Sequence, residues 1–466
     1  MRDKTNGLRF RGVGVLVPLC LLLPGVMAWS SAKPPVEAGA KVFALEEVSI
    51  QDCPEPARSR VQAGLYAREC GSTPLAGITY PAFKSSKPIY GAATFDLSLF
   101  DPQTGMRFGF AVDESAGTGM GYDRLYFDLN RDGDLTNDSP VGVVKEVPAG
   151  LAQDPATARF GKTVLFEKIQ VRLDYGPEGV WTQAVIPRLR HLGDTGDSSL
   201  MYFMALTARK GKIVLGSEEV EVVLAQSFSL AGRYDRPMTG VFLPGQNDPP
   251  PFVGYRRKVN GTFCKLAPSP AGDKVSVEPY AGPLGTLELN AGARGTAVLS
   301  LEGGYLASKD SIVDLTTCKG EDGKWTVPVG DYRLFQWFLR CGQRRIVLRP
   351  DDPQAGPKTA PPAVFPLHIR AGQPCTFDLS EKPQVVFKTP EARQRIKAGD
   401  ILKVEAILLL PETGLMIAAL DDMTKKTQTL KTPDGKDFDL YESVDPTVKI
   451  VNASGQTVAE DKMPFG

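Results

Sequence analysis

Histidine is almost absent: the 466-residue chain has two, His191 and His368. Neither sits in an H-E-x-x-H pattern, and two cannot make a tri-histidine zinc site. No C-x-x-C pair occurs, so neither a zinc ribbon nor a dithiol redox motif is expected. There is no G-x-S-x-G elbow, no P-loop, and no G-x-G-x-x-G following a strand. The run GTGMGY (117–122) has the wrong spacing for a dinucleotide loop and is expected to be a turn before a strand. A Ser198–His191–Asp194 triad would rest on proximity in sequence alone, whereas triads are assembled in space. No enzyme class is therefore indicated.

Charge imbalance is also missing. Lysine and arginine total 54, as do aspartate and glutamate. Removing the basic leader leaves about −3. That balance gives nucleic acid or an anionic membrane no electrostatic reason to bind. After the leader, no apolar run is long enough for a membrane span.

The leader has a secretory layout. Arg2, Lys4, Arg9 and Arg11 precede an apolar run from Val13 to Met27, broken by Pro18 and Pro24. Small residues then fit cleavage after Ala28 or Ala32. The expected product is secreted, periplasmic or associated with the cell envelope, with an envelope or extracellular partner. Six cysteines follow the leader: Cys53, Cys70, Cys264, Cys318, Cys341 and Cys375. An even number in an exported chain predicts disulfides, with Cys53–Cys70 and Cys318–Cys341 the local pairs.

Helical periodicity is scarce, confined to Ala57–Glu69 and Pro390–Gly399, while alternation of period two recurs throughout. In EKIQVRLDY, Ile169, Val171, Leu173 and Tyr175 share one face and Gln170, Arg172 and Asp174 the other. KVSVEPY, GTLELNAG, ILKVEAIL and PTVKIVNASG repeat the pattern, which means antiparallel strands with one wet face. DYRLFQWFLR is apolar on both faces and should be a central strand. The fold class is all-β, with tandem antiparallel sandwiches or open barrels.

Proline-rich NDPPPF (247–252) and PDDPQAGPKTAPPA (350–363) suggest boundaries. The expected organisation is a signal peptide at 1–32, an N-terminal segment with a short helix at 33–90, and a β domain at 91–246. A smaller β region at 252–292, a prealbumin-like sandwich at 293–378 and an immunoglobulin-like sandwich at 379–466 follow.

One stretch carries chemistry, YFDLNRDGDLTND (126–138). With Asp128 as position 1, Asn130 is 3, Asp132 is 5, Gly133 is 6, Asp134 is 7 and Thr136 is 9. Alternate residues can turn their oxygens inward together, and calcium takes six to eight oxygens at such a loop. Positions 1, 3 and 5 give side chains, 7 its carbonyl, and 9 acts through water. Position 12 is Ser139 in place of the bidentate glutamate of an EF-hand, so Asp138 must close the site. Without a cation, each close pair of carboxylates repels by a few tenths to about 1 kcal/mol. Strand-like YDRLYF and extended SPVGVVKEV flank the loop, so no helix pair can open and a sensor role is not expected. The expected ion is structural Ca2+, bound on the order of 0.1–1 mM. A solvated Asp-Gly hairpin is the plainer alternative.

Trp181, Trp325 and Trp337 could line a glycan-binding face, making a glycan- or protein-binding module one alternative function and a hydrolase of unrecognised type another. Through LYFDLNRDGDLTND, EPYAGPLGTLEL and VKIVNASGQTVAEDKMPFG the chain resembles large uncharacterised secreted proteins of planctomycete-type bacteria, which carry D-x-N-x-D-G-D loops on β domains. The resemblance implies an exported calcium-binding protein with ligands at Asp128, Asn130, Asp132, Asp134 and Asp138.

Overall fold

The computed structural model describes residues 39–463 apart from 55–56, 68, 97–104, 119–120, 147–161, 192–198, 227–228, 237, 244–254, 260–261, 291–298, 309–310, 321–323, 351–366, 390–403, 432–436 and 453. Residues 37–466 form one compact unit. The architecture is all-β, as the alternation predicts: several mostly antiparallel sheets and, among the described residues, no closed barrel.

A five-stranded antiparallel sheet carries the acidic loop. Its order is Glu69–Gly71, Ile89–Phe95, Met106–Asp113, Arg124–Phe127, Val141–Gly142. Its inner face meets a second sheet built on Ile169–Asp174, Val180–His191 and Ser199–Ala205. The predicted alternation is plain in Ile169–Asp174, whose residues are alternately buried and exposed along its whole length. Phenylalanines fill the space between the sheets: Phe203 lies 5.6 Å from Phe95, 5.4 Å from Phe127 and 6.1 Å from Phe110, ring centre to ring centre. Burying each such ring contributes about 1.5–3 kcal/mol, so this edge-to-face cluster is what holds the strands that bear the loop.

A thirteen-stranded sheet runs from Lys41–Ala44 to Gln384–Thr389. The apolar stretch predicted to be central is so: Gly330–Cys341 pairs with Leu299–Ala307 on one side and Arg344–Pro350 on the other. Trp337, Leu334 and Leu339 belong to one core while Phe335 packs against another. Register shifts opposite Gly303 and Tyr305 accompany this change of face.

The helix occupies Ala57–Ala63 only and stops short of Glu69. Gly64 ends it at φ +73°, where a Cβ would lie 2.6 Å from the Phe203 carbonyl oxygen. The following Leu65–Tyr66 then pairs with Tyr202–Phe203 as a strand. The second helical pattern, at 390–399, and both proline-rich boundary segments fall wholly or largely outside the described residues.

The expected disulfides do not form: Cys53–Cys70 and Cys318–Cys341 are unbridged, and all six cysteines after the leader are free. Cys53 and Cys318 are fully buried members of two different cores, behaving as small apolar side chains. Burial pushes the Cys53 thiol up to about 11 and those of Cys70 and Cys318 to about 12.

Candidate metal centre

The loop connects two paired strands, Arg124–Phe127 and Val141–Gly142, with Leu125 opposite Val141. Its first ligand position is fixed by the sheet, because Asp128 donates its N–H to the Gly109 carbonyl (3.0 Å) directly after the strand ends. Asp128 is buried, at 4% exposure. Its Oδ1 accepts from the Asp132 N–H and its Oδ2 from the Gly133 N–H, both at 3.1 Å. These bonds bend the chain back over the carboxylate.

The same move repeats along the loop. The Asn130 side-chain oxygen accepts from the Asp132 N–H (3.1 Å), Asp132 Oδ1 from the Asp134 N–H (2.8 Å), and Asp134 Oδ1 from the Thr136 N–H (2.9 Å). Each is a side chain closing on the backbone two residues ahead, the local preference of Asn and Asp. Arg131 and Gly133 both take positive φ, +61° and +77°. At Gly133 a Cβ would stand 2.9 Å from the Gly77 carbonyl oxygen, so glycine is required both for the turn and for the approach of the neighbouring chain.

Asp132 is the hub on the exposed side. Its Oδ2 accepts from the Asn130 amide (2.9 Å) and from the Asn137 amide (2.7 Å). These hydrogen bonds hold its carboxyl below the usual aspartate range, the Asp134 N–H foremost. Asp134 also accepts from the Thr136 hydroxyl (2.6 Å).

Asp138 is different. Its Oδ2 is buried and meets no hydrogen-bond donor. Burial raises its pKa, and the Asp128, Asp132 and Asp134 carboxylates raise it further, against a Leu129 backbone hydrogen bond that lowers it. A carboxylate oxygen withdrawn from water, without a donor and facing other negative charges, is the kind of orphan that a cation satisfies.

All six expected ligand residues thus lie on one loop, and the donor set is entirely oxygen, which suits a hard divalent ion. No group of three or more His, Cys, Asp or Glu side chains converges as a metal cluster by itself among the described residues. An ion here would need the Asn130 oxygen and a backbone carbonyl as well as carboxylates.

Two contributors escaped the sequence reading. Asn137 belongs to an N-x-S sequon, yet its amide is used on Asp132. Leu135, one of two leucines amid the acids, is fully buried, whereas Leu129 is exposed; sequence alone does not tell the two apart.

The other candidates do not gather into a site. His191 ends a strand, and 192–198, with Asp194 and Ser198, lie outside the described residues. His368 is half exposed, with Nδ1 2.8 Å from Asp331. Trp325 and Trp337 are core residues, and Trp181 packs beneath the Arg233 guanidinium at 5.5 Å. A cavity of about 330 Å³ is lined by Gly39, Lys41, Val214, Gly216, Thr262, Cys264, Val277 and Pro279, with no carboxylate among them. No helix among the described residues is long and apolar enough to cross a membrane. No family model, curated protein or solved structure matches the chain.

Proposed function

We propose that the chain is an exported β protein in which the Asp128–Asp138 loop holds a structural calcium ion, serving as a scaffold or in contact with a cell-envelope partner. The Asp128, Asn130 and Asp132 side chains, the Asp134 carbonyl, Thr136 through water and the Asp138 carboxylate would hold the ion. The observation that carries the reading is the buried Asp138 Oδ2, which lacks a donor among three other carboxylates. A solvated hairpin turn gives no reason to bury that oxygen.

The ion would convert mutual repulsion within the loop into attraction and pin the connection between two strands. It would open no helix pair as an EF-hand sensor does, because the loop joins strands already paired in the sheet. Export is supported by the basic, apolar and small-residue succession at the start of the chain. The same proposal includes an immunoglobulin-like sandwich at the C-terminal end, supported by the succession of strands Gln384–Thr389, Glu405–Leu410, Leu415–Lys431 and Thr447–Val451. It also includes kinship with the exported planctomycete-type proteins whose loops these motifs resemble.

Thermal unfolding with millimolar calcium and with excess EDTA tests the metal reading. Calcium should raise the melting temperature by about 1–2 °C, since a ligand at ten times its Kd adds roughly 1.4 kcal/mol to a unit of this size. An unchanged melting temperature supports the plain hairpin.

A further inference from the structure

The segment between the Glu69–Gly71 and Ile89–Phe95 strands, residues 72–88, contains three prolines and forms no strand of its own. It runs as a strap over the outer face of the loop-bearing sheet. Ile78, Tyr80 and Phe83 pack with Ala111, Tyr126, Leu135 and Tyr90 in a small apolar cluster separate from the main core. Tyr80 meets Tyr90 edge-on at 4.9 Å, and Phe83 meets Tyr126 at 6.0 Å. Gly109 leaves room for the strap: a Cβ there would lie 2.7 Å from Ile78 Cδ1.

The strap is fastened at two ends. At one, the buried Asp113 carboxylate accepts the Ser85 and Lys84 N–H groups (2.8 and 3.1 Å), and the Tyr122 hydroxyl donates to the Lys87 carbonyl (2.7 Å). At the other, the acidic loop itself is the fastening. Thr79 donates its N–H to the Gly133 carbonyl (2.8 Å), and Leu135 donates its N–H to the Thr79 carbonyl (2.9 Å). These two bonds make a parallel bridge between Thr79 and Asp134. The Leu135 side chain, between ligand positions 7 and 9, is wholly buried under the strap cluster.

We propose that the strap and the acidic loop are one conformational unit, so that a cation bound by the loop locks residues 72–88 onto the sheet and its withdrawal releases them. The inference rests on the calcium reading above. The coupling is short and physical: residues 133–135 supply both the chain that would face the ion and the backbone groups that hold the strap. Splaying the loop apart under its own carboxylate repulsion pulls Leu135 out of the aromatic cluster. The small size of that cluster leaves the strap few other apolar contacts at this end, which is the condition for local opening. The Asp113 end has no part in the loop and would stay fastened, so release would begin near Thr79.

Hydrogen exchange on the full chain, read by mass spectrometry with 5 mM calcium chloride or with EGTA, tests this, with calorimetry run in parallel. Calcium should slow exchange by about tenfold in peptides containing Thr79 and Leu135, less near Ser85, and not at all in the Ser199–Ala205 strand. In Leu135→Ala, calcium heat should persist while strap protection no longer responds. If that variant does not fold, Leu135→Val serves, with a reduced response. Calcium heat without any change at the strap overturns the coupling and leaves the calcium reading standing. Absence of heat overturns both.

Discussion

Two acidic turns leave the same sheet and treat their carboxylates differently. In the turn between Met106–Asp113 and Arg124–Phe127, Asp113 and Glu114 are fully buried, yet each accepts from nearby groups. Asp113 takes two strap N–H groups, Glu114 takes the Gly121 N–H (3.0 Å) and the Thr118 hydroxyl (2.7 Å), and Asp123 takes the Ser115 N–H (2.7 Å) and hydroxyl. In the next turn Asp128 is served in the same way, but Asp138 keeps a buried oxygen with no donor. Acidity alone does not separate a structural carboxylate from a ligand; the supply of N–H and O–H donors does. In the first turn Asp113, Glu114 and Asp123 all accept hydrogen bonds, whereas in the second the buried Asp138 Oδ2 meets no donor.

The largest effect is expected at Asp113. Asp113→Ala strands two strap N–H groups and should cost about 3 kcal/mol, measured by urea denaturation, by the same amount with or without calcium. A loss clearly larger with calcium than without it would mean that the first turn also binds the ion. Asp128→Ala removes a buried acceptor of two N–H groups and should cost about 2–3 kcal/mol. Unlike the first variant, it should also abolish the calcium-dependent rise in melting temperature.

Gly133→Ala places a Cβ against the Gly77 carbonyl at positive φ and should cost about 1–2 kcal/mol. In the same denaturation series it should also weaken the calcium response.

The smallest effect is the sharpest in sign. A carboxyl whose folded pKa is raised holds its proton more tightly in the folded chain than in the unfolded one. The contribution to stability is therefore full below the ordinary aspartate range and falls as pH rises through the raised value. With calcium removed, Asp138→Asn should flatten that fall and leave the protein as stable at neutral pH, or more so by less than about 1 kcal/mol. With calcium added, the variant should gain less than the parent. A variant that is much less stable in EDTA would show that the Asp138 charge is already satisfied.

The sequence revealed the strands because their alternation is set by burial, as in Ile169–Asp174. It revealed the loop because Asn and Asp at every second position close on the backbone two residues ahead, a rule that needs no tertiary context. What it hid was spatial. An even number of cysteines says nothing of bonding: Cys53 and Cys70 pack on one core and are still free thiols, as are Cys318 and Cys341. The helix beginning at Ala57 ends early because of the Phe203 backbone beside Gly64, far away in sequence. The strap at 72–88 has neither period two nor period 3.6, so nothing local announces that it lies on Leu135.

The most direct test is isothermal titration of calcium chloride, at millimolar concentration, into the full chain and into the Asp128→Ala/Asp132→Ala double variant. A saturable single-site heat with Kd on the order of 0.1–1 mM, lost in the double variant, is the predicted result. A parent chain that takes up calcium with no heat, or a double variant that retains the parent's heat, contradicts it.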